Sequence, residues 1–235
     1  MQIATSPFAG FPPLFRLAAL AAAGSLASGC MTAKLEENRT LDTQIVQGEA
    51  VVLLAKPRVE GVTAEDDFMD CVGDKMSRRF GIAVRSNDAF VDSLFPWFEP
   101  STAPQRAEGV ARLFARPAVR QRIDDSGVRY VVWVDGMTRQ TDSGGSFSCA
   151  IGPGGGGCLG FGWWERESDY DAFVWDLKEA KTAGVVSANV TGTSALVGVI
   201  VPVPLIARVQ GTACDRLADQ LGSFLLGGGT AAGSP

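Results

Sequence analysis

The first clear pattern along the chain is apolar: Leu17 to Leu26 reads LAALAAAGSL, a run of about ten residues that is too short to cross a bilayer as a helix. Thr32 to Gly48 is polar, shows no period and reads as a tether. Val51-Val52-Leu53-Leu54-Ala55 is then continuous and apolar, the pattern of a strand covered on both faces, and Lys56-Pro57 ends it. A helix follows, capped by Thr63. Glu65, Asp66 and Asp67 fill its first turn and Lys75, Arg78 and Arg79 its last, each sign where the helix dipole favours it. Phe68, Cys71, Val72 and Met76 fall on its inner face.

Gly81 stops that helix, Ile82 to Arg85 makes a second strand, and a short helix from Asn87 or Asp88 runs to Leu94, stopped by Pro96. Helices are expected at 103–115 and 117–125, the second opened by Pro117. Val128 to Val134, VRYVVWV, is the expected central strand. A meander follows: a glycine-rich hairpin from 144–151 and 158–164, then Tyr170 to Leu177 with Phe173, Trp175 and Leu177 on one face, then Val185 to Thr191. Leu196 to Pro204 reads as an apolar connector. In the last element, 205–226, Ile206, Val209, Ala213, Leu217, Leu221 and Phe224 form a helical stripe bordered by Cys214. The order predicts an α+β fold with an α/β start: a mixed sheet with amphipathic helices packed on it, an antiparallel meander in the second half and a long C-terminal helix. The expected segments are a leader 1–29, a tether 30–48, a single domain 49–226 and a flexible tail 227–235.

Leu26-Ala27-Ser28-Gly29-Cys30 closes the first apolar run. It resembles the lipobox of bacterial lipoproteins, which implies diacylglyceryl attachment to the Cys30 thiol, cleavage before it and acylation of the new amine, with fatty chains such as palmitate. Two or three acyl chains would anchor the protein where one holds only marginally. Met31 stands where an aspartate marks inner-membrane retention in enteric bacteria, so the expected location is the periplasmic face of the outer membrane.

VVLLA at 51–55, SGVRYVVWVDG at 126–136 and VWDLKEAKTAGVV at 174–186 resemble, in element order, a periplasmic domain family. It is shared by penicillin-binding-protein activator lipoproteins, the curli-secretion lipoprotein and the amino-terminal domain of the Tol-system propeller protein. The resemblance implies a non-enzymatic envelope role with another envelope protein, or the chain itself, as partner.

Composition narrows the function classes. The chain has 21 Lys+Arg against 26 Asp+Glu, and loss of the leader's Arg16 makes the balance more acidic still, which argues against nucleic acid as a partner. Histidine is absent, which removes the commonest general base, the usual zinc ligand and every Ser-His or Cys-His triad. No catalytic residue, metal site or cofactor is assigned. Five cysteines less Cys30 leave Cys71, Cys149, Cys158 and Cys214 in an oxidising compartment. Three pairings exist; a turn at Gly152 to Gly155 would set Cys149 opposite Cys158, leaving Cys71 with Cys214.

Three constellations invite chemistry. Gly152-Pro153-Gly154-Gly155-Gly156-Gly157 could form an anion nest, but it lacks the Lys and Ser/Thr of a phosphate loop. Glu165, Glu167, Asp169 and Asp171 lie every second residue, either a carboxylate pair for glycan hydrolysis or a solvent-facing acidic edge. Phe161, Trp163 and Trp164 beside the glycine loop, with Trp97 in the cluster 94–98, form a candidate binding surface for a glycan or a partner protein. A third reading is an oligomeric secretion pore of the curli type, the hairpin and Leu196 to Pro204 touching lipid.

Overall fold

The computed structural model describes residues 30–55, 65–97, 102, 107–153 and 155–228, the side chains of 107, 108, 110, 111 and 199–203 excepted. The leader 1–29, Thr63, Phe98, Gly154 and the end of the tail lie outside the described residues.

Among the described residues the strands are β1 (Met31–Arg39), β2 (Ala50–Ala55), β3 (Ala83–Arg85), β4 (Val128–Gly152), β5 (Gly155–Asp176) and β6 (Lys181–Leu205). The helices are α1 (Asp66–Phe80), α2 (Asn87–Ser93), α3 (Ala107–Phe114), α4 (Pro117–Ser126) and α5 (Val209–Leu225). The sheet order is β1-β6-β5-β4-β2-β3. β2 pairs in parallel with β3 on one side and with β4 on the other, Val52 facing Val131 and Leu54 facing Trp133. The fold is therefore α+β with an α/β start, and the meander β4-β5-β6 supplies its second half.

The chain divides into two compact units. One comprises 32–141, 166–191 and 208–235; the other comprises 1–31, 142–165 and 192–207. Both units fall within the segment 49–226 in part, and β4, β5 and β6 each continue past the first unit into the second.

The first unit is a sheet covered on two faces. β2 is buried along its length because successive strands leave it in opposite directions, which sends α1 to one face and α2–α4 to the other. On the second of these faces Val52, Leu54, Phe90, Phe114, Ile123, Trp133 and Trp175 form one cluster, with Phe173 and Trp97 packed against it. On the first, α1 and α5 lie together. Phe68 of α1 stacks on Tyr170 of β5 at 3.6 Å, Cys71 is bonded to Cys214, and a Cβ on Gly222 would overlap the Phe80 ring. Val209, Ala213, Leu217, Leu221 and Phe224 are buried, as the stripe predicts, but Ile206 is exposed, since it precedes the helix, which begins at Val209 rather than at 205. Lys75 and Arg79 bond Asp215, and Arg79 reaches Asp219 at 2.5 Å, closing the outer seam between the two helices.

The expected tether is corrected as well. Residues 31–39 are the edge strand β1, and the segment after it is strapped to the end of α5. The Thr43 hydroxyl donates to the Phe224 carbonyl, Arg39 donates to the same oxygen at 3.1 Å, and Ile45 N–H donates to the Leu225 carbonyl at 2.8 Å. Thr43 and Ile45 are buried by this contact. Alternation did not mark β1 because its residues are exposed on both faces and only its edge is used.

Candidate functional site

Among its described residues the second unit consists of strand arms. Asp142 to Gly152 of β4 and Gly155 to Glu165 of β5 form a hairpin, with Cys149 and Cys158 joined across it at a Cα separation of 4.1 Å. β5 begins at Gly155, so the glycine run leads into a strand and has no helix amino terminus behind it to complete a phosphate site. β6 takes in the stretch expected as a connector, 196–204, a correction whose cause is that extended backbone here needs no alternating face. Ala207 N–H donates to the Ser194 hydroxyl oxygen at 3.0 Å. An uninterrupted strand between them would hold them tens of ångströms apart, at about 3.3 Å per residue. The chain therefore doubles back between 194 and 207, giving this unit a second, shorter reversal.

Glycines set the packing of the arms. A Cβ on Gly198 would lie 2.5 Å from the Phe147 ring, one on Gly160 3.0 Å and one on Gly162 3.3 Å. Phe147 is thus bedded on three positions where any side chain would displace it. Trp163 lies over Gly144 in the same way, its indole nitrogen 3.0 Å from where a Cβ would stand. Outside these nests the unit is open: Ile151 is 94% exposed, Leu159 70% and Phe161 49%. By strand alternation Phe147, Cys149 and Ile151 share one face with Cys158, and Leu159, Phe161 and Trp163 occupy the other.

Cys30 belongs to this unit. It is exposed and carries a free thiol, and its carbonyl accepts from Thr193 N–H at 3.1 Å, placing it beside β6 at the start of the reversal.

Of the aromatic candidates the structure gathers Phe161, Trp163 and Trp164 into this unit, Phe161 exposed and the two tryptophans partly buried. Trp97 belongs to the other unit, where it packs on the core and lies 5.1 Å beneath the Arg122 guanidinium. Sequence reasoning missed Phe147, Ile151 and Leu159; their lack of any neighbouring charge was the available signal.

Two members of the acidic row, Glu167 and Asp171, are engaged in polar contacts. Glu167 accepts from Arg139 at 2.8 Å and from Asn189 at 2.9 Å, and these two partners hold its carboxyl below the usual carboxylate range. Asp171 accepts from the Ser187 hydroxyl at 2.5 Å. Nearby, Tyr170 donates to Glu65, and Thr138 lies 2.6 Å from Ser168 and 3.1 Å from the Tyr170 hydroxyl. Burial, reinforced by the Glu65 carboxylate, pushes the Tyr170 phenol well above its ordinary value. This network anchors the start of α1 to β5. Among the described residues no group of three or more His, Cys, Asp or Glu is placed to hold a metal ion, and no helix is long and apolar enough to cross a membrane.

No family model matches the chain, and no curated protein matches it. Among solved structures it is similar to a PelC dodecamer from Paraburkholderia phytofirmans and to a point variant of that dodecamer. The variant shows a TM-score of 0.38 at 10% identity, covering 84% of this chain and 99% of the PelC chain. The other structure gives the same score and identity over 83% and 98%.

Proposed function

We propose that the protein is a lipoprotein anchored through Cys30 on the periplasmic face of the outer membrane. It works without catalysis, by binding another envelope protein or further copies of itself. The observation that supports this reading most directly is the position of Cys30, hydrogen bonded at the start of the β6 reversal in a unit whose apolar side chains stand open to contact. A photo-crosslinking phenylalanine analogue at Phe161, introduced in cells, is expected to give discrete adducts with an envelope protein or with the chain itself. Peptidoglycan turnover that disappears in Glu165→Gln or Glu167→Gln would count against it.

A second reading, component of an oligomeric secretion pore, is favoured by the open apolar side chains of the second unit, Ile151, Leu159 and Phe161, because exposed apolar patches mark contact with another chain. A defined multimer in mild detergent is expected; a monomer would refute this reading.

A further inference from the structure

The first unit ends in an open strand edge. β3 is the outermost strand of the sheet and pairs with β2, and among the described residues no strand lies on its other side. Such an edge is a template for another chain. A groove of about 510 Å³ runs beside it, bounded by α1 and by the start of α2. Its buried and half-buried lining is apolar, made by Leu53, Met69 and Val84, and its exposed rim is acidic. At Gly73 a Cβ would stand 3.4 Å from Val84 and 3.5 Å from Leu53, so α1 lies close on the sheet along this groove.

Asp66, Asp70 and Asp74 line the α1 side at intervals of four residues, and Asp88 stands at the start of α2. Arg78 pairs with Asp74, whereas Asp66, Asp70 and Asp88 have no ion pair among the described residues. Arg85, the one cation of the described lining, does not answer them. It lies opposite Val52 in the parallel ladder, so it projects to the other face from Val84. Its guanidinium reaches instead to 4.0 Å from the Cβ position of Gly127.

The spacing of these carboxylates matches a strand. Residues four apart on a helix rise about 6 Å, and alternate residues of a strand stand about 6.6 Å apart on one face. An extended segment laid along β3 would therefore meet the α1 carboxylates with every second side chain. Lys and Arg suit those positions, because the aliphatic stem covers an apolar lining while the charged head stays at the rim.

We propose that the β3 edge and the α1 groove receive an extended segment of a partner protein that carries Lys or Arg at alternate positions and adds to the sheet as a further strand. The cations answer the unpaired carboxylates, and the backbone answers the open edge. The site rests on the binding reading above for its protein partner, but it needs neither an acylated Cys30 nor the open side chains of the second unit.

The test uses the full chain and three short fluorescent peptides: one alternating Lys and Thr, one alternating Glu and Thr, and the Lys peptide with every backbone nitrogen methylated. Fluorescence anisotropy should show saturable binding of the first peptide only, weakening as salt rises. Asp66→Asn with Asp70→Asn and Asp88→Asn, all at exposed positions, should weaken it about tenfold without moving the thermal midpoint. Hydrogen exchange should slow at the amides of Ala83 to Arg85 when the peptide is bound. Failure of the Lys peptide to bind overturns the proposal, and so does equal affinity in the triple variant. Equal binding of the methylated peptide, or unchanged exchange in β3, overturns strand addition. Self-association that the triple variant abolishes, with no peptide bound, gives the groove to a second copy and overturns the proposal as well. The Phe161 adducts separate the two readings: adducts without peptide binding refute the groove alone, and peptide binding without adducts upholds the groove and refutes the second unit as a contact surface.

Discussion

The two units of this chain solve opposite problems. In the first, large side chains such as Tyr130, Tyr170, Phe68 and Phe224 are fully buried, and charges pair at the rim, as Lys178 and Arg129 do around Glu49. In the second, the largest side chains are nested on glycines or left open, and charge is absent from the arms. The first unit is stable because it excludes solvent. The second spends little on a core and keeps its apolar surface for contact, so substitutions should act on the two in different ways.

The largest expected contrast is covalent. Removing the Cys71–Cys214 bond by paired serine substitution should cost up to about 5 kcal/mol by chain entropy for a separation of 143 residues. It should be read as a fall in the denaturant midpoint of the first unit. Next, Leu217→Ala, at a fully buried position, should cost about 3 kcal/mol, whereas Leu159→Ala, at an open one, should stay within about 0.5 kcal/mol in detergent. Equal losses would erase the distinction drawn here. Opening Cys149–Cys158, whose loop spans only 9 residues, should cost about 2.5 kcal/mol on the same entropy scale. Hydrogen exchange should place that loss in the hairpin amides and leave those of α1 and α5 unchanged.

The smallest effect is a pH dependence confined to the first unit. Burial pushes the Glu49 carboxyl up, but Lys178, the Val46 N–H and Arg129 together bring it below its ordinary value. A carboxylate with a depressed folded value contributes stability above its unfolded value, and that contribution is lost as pH falls through the folded one. Glu49→Gln should therefore lower the unfolding free energy at neutral pH by about 1 kcal/mol or less, and the difference should shrink as pH falls below the ordinary carboxylate range.

Much of the first unit was legible because burial writes a period into the sequence. Val51 to Leu54, Phe68, Val72 and Met76, and the stripe from Val209 to Phe224 all lie where spacing put them. The beginning of α1 was legible only in its charges: Glu65 stands at the cap without a side-chain bond to the helix and instead accepts from Tyr170. β1 was illegible, since an exposed edge strand buries neither face and leaves no alternation. The return within β6 was hidden by an apolar run that no period divides. At the candidate surface, Phe161, Trp163 and Trp164 stood out by composition, but the bed that Gly160, Gly162 and Gly198 make for Phe147 depends on strand register, which adjacency in sequence does not encode.

The bond from Cys71 to Cys214 spans every residue of 142–165 and 192–207. A protease that nicks either turn would therefore leave a single covalent molecule, its two pieces released only by a reductant. Cleaved protein would run intact on a gel without thiol, and damage to the open arms would pass unnoticed until the sample was reduced.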